Sequence, residues 1–319
     1  MVELDITARV LSKSIADFRH AVADREAWKA QAIWFYDQLI RPIEAQIPNI
    51  DCLEVDAAGL SGRIPFGLLS DGERCLVETV PVRYAIDVMP SPDDGAQRSG
   101  LAQFSAFETG ALAVAPNLPR ASFVKGNDFT RTGLIDGLST RPKFVSIATH
   151  MDSQPARPDL WALSLGTGEP LYLSDLGGEH FDLCGVRVAL LAACSTGLDD
   201  ARDETGTSLA ELALEKGVGC VIGTLWDISE TAAAEFIQAF WTTFDQDSAQ
   251  DPAMCLARIQ SHQAARAWKE DGSRSASGGI GNWSSRLTPL DWAAFAVFEG
   301  SNPAQHSEDG DARVSDRQG

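Results

Sequence analysis

The 319-residue chain has no run approaching the roughly 20 apolar residues that a membrane span needs. Its opening segment, MVELDITARVLSKSIADFRH, lacks the continuous apolar stretch of a secretory leader. Basic charge is scarce: 26 Lys and Arg against 45 Asp and Glu leave a formal net charge of −19. That balance argues against sequence-independent binding to nucleic acid or to an anionic membrane surface, and favours a basic partner or substrate. The six cysteines (Cys52, Cys75, Cys184, Cys194, Cys220, Cys255) form no C-x-x-C pair and no Cys/His grouping at zinc-site spacing, so no metal site is expected. Their irregular intervals predict reduced thiols in a cytoplasmic protein. No internal repeat is visible.

What is present is a succession of short apolar segments. Residues 12 to 47 carry Ile15, Phe18, Val22, Ala32, Phe35, Leu39 and Ile43 at helical spacing, broken at Pro42 and closed by Pro48, which predicts a helical arm or hairpin. From Asp51 to Met89, β-type pieces alternate with the turn signals GLSGR and SDGER, predicting a β-ribbon or small sheet. Residues 90 to 100, PSPDDGAQRSG, predict an exposed connection. Beyond them ALAVAP, KFVSIATH, VRVALLAAC, GVGCVIGTLW and WAAFAVFEG are too short for helices and are interleaved with helical segments, TSLAELALEKG ending at Gly217 among them. Strands apolar on both faces that alternate with helices predict an α/β fold, a mostly parallel central sheet covered by helices on both sides. The last residues, 301 to 319, are polar and predict a disordered tail.

In such sheets the functional crevice lies outside the carboxyl ends of the strands, where loops and helix N-termini converge. Three segments end there informatively: KFVSIATH in His150, VRVALLAAC in Cys194, and GVGCVIGTLW in Trp226, followed by Asp227. A thiol at that rim becomes a nucleophile when an imidazole or a helix N-terminus stabilises its thiolate; a cysteine in the core is only a small hydrophobe. Cys220 inside an apolar strand and Cys255 within a helix fit the second description, as do Cys52, Cys75 and Cys184 near turns. His180, in a loop-like stretch, is the rival base, whereas His20, His262 and His306 lie on helical or tail segments. The order of the pair, His before Cys, and Ala193 ahead of the thiol differ from papain-like enzymes and from glutamine amidotransferases.

The same residues resemble the CHAT domain, a caspase- and separase-like cysteine peptidase family of the caspase–haemoglobinase fold. FYDQLIRPIEAQIP and DAAGLSGRIPFGLLSDGERCLVE are similar to its amino-terminal helix and ribbon. KFVSIATH is similar to its His strand, LSLGTGEPLYLSDL to the segment ahead of the cysteine, LLAACSTG to its Cys motif, GCVIGTLWDISETAAAEFIQAFW to the following strand and helix, and PLDWAAFAVFEG to its closing strand. The order of these blocks divides the chain into an arm (1–29), a CHAT part (30–300, with a helix and β-ribbon portion over 30–100 and a catalytic portion over 101–300) and a tail (301–319).

The resemblance implies that His150 is the general acid/base and Cys194 the nucleophile. It implies an oxyanion site made of the main-chain N–H groups of Cys194 and Met151, and an extended substrate lying along Thr224, Leu225 and Trp226, with no metal or organic cofactor. The family usually has Gly after its His, so Met151 puts a side chain beside the oxyanion site. Asp199, Asp200 and Asp227 suggest an acidic pocket for Arg or Lys; a solvated acidic loop is the alternative. Asp227 followed three residues later by Glu230 also reads as a helix N-cap box. The implied partner is a protein substrate, a pore-forming protein held in autoinhibition being one candidate, with sensing supplied by a separate protein or the arm, in bacterial signalling, defence or regulated cell death. A binding module without turnover and a small-molecule thiol amidohydrolase are the other readings.

Overall fold

The computed structural model describes residues 8–23, 27–57, 63–88, 95, 97–107, 115–152, 157, 160–178, 180–193, 208–269 and 288–301. Helix α1 (Ala8–Ala23) turns Ile15, Phe18 and Val22 inward at intervals of three and four residues, and α2 (Ala27–Leu39) does the same with Trp28, Ala32 and Phe35. Phe18 and Phe35 stack with ring centroids 5.3 Å apart and lock the two helices together. Pro42 cannot continue α2, and the chain goes on in 3₁₀ turns over Arg41–Asn49.

The strands follow in the order β1 (Leu53–Asp56), β2 (Val82–Ile86), β3 (Leu101–Ser105), β4 (Arg120–Lys125), β5 (Phe144–Ala148), β6 (Met151–Asp152), β7 (Ala162–Ser164), β8 (Pro170–Tyr172), β9 (Val188–Ala192), β10 (Cys220–Thr224) and β11 (Phe295–Gly300). Between them lie α3 (Arg131–Ser139), α4 (Leu173–Leu176), α5 (Leu209–Glu215), α6 (Glu230–Gln246), α7 (Pro252–Lys269) and α8 (Pro289–Trp292). Eight strands form one sheet, β1-β2-β11-β10-β9-β5-β3-β4, in which only the β10/β11 pairing is antiparallel. This is the mostly parallel α/β sheet that the alternation of segments predicts.

Alternate residues of the central strands enter two separate cores. Ala102 and Phe104, Val145 and Ile147, Ala189 and Leu191 face the side covered by α3 and α5, whose core also takes in α1 and α2. Phe144 and Ala148, Val188, Leu190 and Ala192 face Phe236, Phe240, Trp241 and Phe244 of α6 and Leu256 and Ile259 of α7. Burial of both faces explains why these strands read as continuous apolar runs.

The β-type pieces between Asp51 and Met89 do not make a separate ribbon. β1 and β2 are parallel neighbours that extend the main sheet beyond β11, because Val82 and Tyr84 find their apolar partners there, Tyr84 packing 5.4 Å from the ring of Phe298. A separate antiparallel sheet does exist, β6-β7-β8, starting one residue after His150. It rests on the turn after β4: Gly166 N donates to Phe129 O, and a Cβ on Gly166 would lie 1.6 Å from Gly126 O, so only glycine permits this approach.

The carboxyl-terminal portion of ALAVAP, Ala115 and Pro116, is described; the rest of that segment, residues 90 to 94 and 96 of the exposed connection, and the tail from 302 lie outside the described residues. Among the described residues no helix is long and apolar enough to cross a membrane.

Candidate active site

The strands β3, β5, β9 and β10 are parallel, so their carboxyl ends share one rim. Ser105 pairs with Ala148 and Ala148 with Ala192, while Thr224 stands two residues beyond the Ile222–Leu190 pair, level with Ala192. Phe107, His150, Cys194 and Trp226 are therefore each two residues past a register-matched strand end. Cys194 itself, with Asp199 and Asp200, lies outside the described residues.

His150 is held from three sides. Before it, Thr149 N donates to Ala192 O at 3.2 Å, tying the end of β5 to that of β9. Its own carbonyl accepts from Ser164 N at 2.9 Å, and Thr149 Oγ1 donates to Ser164 O, so the small sheet grips the same turn. The ring of Phe107 meets the imidazole edge-on at 5.1 Å, and Nε2 lies 2.9 Å from Glu230 Oε1 at the first residue of α6. The imidazole remains half exposed.

Met151 does not crowd this rim. Its side chain is buried in the same core as Leu163 and Leu171, and its backbone is extended within β6, a conformation any residue adopts. The pair Met151–Leu163 sits next to the His150–Ser164 hydrogen bond, so it is the non-hydrogen-bonded pair of the ladder and Met151 N–H is directed away from β7. β6 is an edge strand, leaving that donor on the unpaired side.

Of the residues beyond β10, Thr224 is fully buried and its Oγ1 donates to Ala193 O at 2.5 Å, anchoring the residue immediately before Cys194. Leu225 is engaged through both main-chain groups: its N–H donates to Ala294 O at 2.8 Å, and its carbonyl accepts from Arg19 Nη2 of α1 at 3.2 Å. Trp226 is only 6% exposed, and its indole N–H donates to Leu290 O at 2.7 Å. In this arrangement the side chains of Thr224, Leu225 and Trp226 pack inward and Asp227 is exposed at the rim. The indole packs against the body of the fold, with its N–H engaged by a main-chain carbonyl.

Asp227 is not the cap of α6. Ser229 is, its hydroxyl accepting from Ala232 N at 3.1 Å, and Glu230 is the first helical residue. Glu230 is the rim residue that sequence reasoning assigned to capping alone; its acidic chemistry was visible, but the contact to His150 spans 80 positions. His180 is an exposed turn residue outside every strand. Among the described residues no group of three or more His, Cys, Asp or Glu could hold a metal ion.

The sequence pattern of the CHAT domain matches residues 29–300. No curated protein sequence matches the chain significantly. Solved structures similar to it include the Arg-specific cysteine proteinase gingipain R, at 12% identity over 92% of this chain and 68% of that one with a TM-score of 0.48, and a complex of the Porphyromonas gingivalis RgpB pro- and mature domains, at 9% identity over 92% and 69% with a TM-score of 0.44.

Proposed function

The chain belongs to the CHAT domain family, and from that premise we propose that it is a cysteine endopeptidase in which His150 and Cys194 act together on a protein substrate. The observation that carries the reading is the strand register: β5 and β9 are adjacent and in step through Ala148 and Ala192, and His150 and Cys194 each follow two residues later. An imidazole beside a thiol favours its thiolate near neutral pH.

In the proposed reaction His150 takes the thiol proton and the Cys194 sulfur attacks the scissile carbonyl. The oxyanion is met by the N–H of Met151, which points away from its partner strand, and by that of Cys194. The protonated imidazole then gives its proton to the leaving amine, and the thioacyl-enzyme is hydrolysed by a water that His150 deprotonates. Asp227, with Asp199 and Asp200, supplies acidic charge suited to Arg or Lys in the substrate. A pore-forming protein released from autoinhibition by cleavage is a candidate substrate, in bacterial signalling, defence or cell death.

Incubating the purified chain with candidate proteins and a peptide library, beside Cys194→Ala and His150→Ala, tests this. Cleavage that both substitutions abolish is the expected result. Binding without cleavage in every variant overturns it in favour of a regulatory module, and turnover confined to small amides in favour of an amidohydrolase.

A further inference from the structure

The Nε2 atom of His150 faces a carboxylate across 2.9 Å. A carboxylate at that distance can only accept, so the imidazole proton belongs on Nε2, and a neutral imidazole then carries its lone pair on Nδ1. Two other observations make the contact a built one. Glu230 is fixed at the first position of a 17-residue helix whose cap, Ser229, and buried face, Phe236, Phe240 and Phe244, set where that helix starts. Phe107, two residues past the end of β3, closes on the imidazole at an interplanar angle of 63° and restricts its rotation.

We propose that Glu230 is a positioning residue for His150: it holds the imidazole as the Nε2–H tautomer, so that Nδ1 is the nitrogen that receives a proton. The consequence for turnover rests on the peptidase reading above; the tautomer does not. In the proton step the S–H bond of Cys194 breaks and an N–H bond forms at Nδ1, giving a thiolate and an imidazolium protonated on both nitrogens. The carboxylate of Glu230 faces the positive charge of that imidazolium and neither gains nor loses a proton. The Nδ1 proton leaves with the amine. Because the two side chains are 57% and 48% exposed, their pairing adds little to folding, so its removal is readable without unfolding the chain.

The test uses the whole chain with ¹⁵N-labelled histidine. There are only five histidines, and His150→Gln identifies the signal of interest. Long-range ¹H–¹⁵N spectra, recorded at a pH raised until the ¹⁵N shifts no longer change, are expected to give the Nε2–H tautomer in the unaltered chain and in Glu230→Gln, which keeps an acceptor, and a mixture in Glu230→Ala. On a cleaved substrate, kcat of Glu230→Ala should fall by about 10- to 100-fold with KM nearly unchanged and with Glu230→Gln between the two. A predominant Nδ1–H tautomer in the unaltered chain, or spectra and kcat that ignore Glu230→Ala, overturns the proposal. If the expected tautomer is found in a chain that cleaves nothing, the positioning role stands and the peptidase reading falls.

Discussion

Burial raises four of the described thiols, those of Cys52, Cys75, Cys220 and Cys255, above the ordinary value of 9.0. Cys255 is pushed up to about 12, first by burial and then by the Asp247 carboxylate beside it. These sulfurs are packing atoms. With iodoacetamide near neutral pH, all four should label more slowly in the folded chain than after denaturation, and Cys194 faster than any of them, with His150→Ala slowing it. Peptide mass spectrometry over a time course reads this, and equal labelling of every thiol would remove the case for an activated thiolate. Thr224→Val is the complementary change: it keeps the shape but strips the buried donor from Ala193 O, and should cost about 1–3 kcal/mol in urea unfolding while lowering the labelling rate of Cys194. At this scale the position of His150 at the rim of the candidate site was legible in the sequence, because it closes an apolar strand. Glu230 was not, because its contact crosses from one strand end to a different helix. The inward turn of Met151 was equally hidden, since it depends on a two-residue strand whose partner lies a dozen positions on.

Among the elements, α1 has an unexpected reach. It lies outside the residues matched by the family pattern, yet Arg19 holds the carbonyl of Leu225 beside the rim, and Phe18 is 1% exposed in the core. Phe18→Ala should destabilise by about 3–5 kcal/mol, whereas Arg19→Ala should cost about 1–3 kcal/mol through a carbonyl left without its charged donor; urea midpoints separate the two. Gly166→Ala forces the small sheet off Gly126 and is expected to weaken the Ser164–His150 hydrogen bond as well as the fold, checked by amide exchange at Ser164. Helices α1, α2, α5, α6 and α7 were readable from their spacing, down to Gly217 after α5, which adopts φ 90° as a helix-ending glycine does, whereas the shorter α3, α4 and α8 were not. The place of β1 and β2 was not, since parallel pairing joins segments far apart and carries no turn signal. Nor was the start of α6: Asp227 and Ser229 are both good caps, and burial of Ala232, Ala233 and Phe236 is consistent with Ser229 taking that position.

For the molecule as a whole, the buried thiols and two tyrosines set an alkaline limit. Tyr36 is raised from 10.0 to about 12, first by burial and then by its hydrogen bond to Glu44, and Tyr84 is raised by complete burial. Each group keeps its proton longer folded than unfolded. Above its unfolded value the unfolded chain therefore binds fewer protons, and stability falls with rising pH. This contribution is intact below about pH 9 and is lost progressively as the pH climbs toward the folded values near 12 of Cys255 and Tyr36. Urea midpoints measured from pH 7 upward should be level at first and then decline; a rise above pH 9 would contradict the burial of these groups. The α/β class and its two covered faces were legible because β5, β9 and β10 are almost wholly apolar, while the reversal between β10 and β11 was not, because both run about equally apolar.

The step-for-step alignment of β5 and β9 behaves like two rulers read at the same mark. Connections of any length can be spliced ahead of either strand without moving the graduations, but one residue removed between Val188 and Ala192 would leave position 194 one division out of step with position 150. Freedom to change what is bound thus resides in the loops, and none of it in the spacing on which bond cleavage would depend.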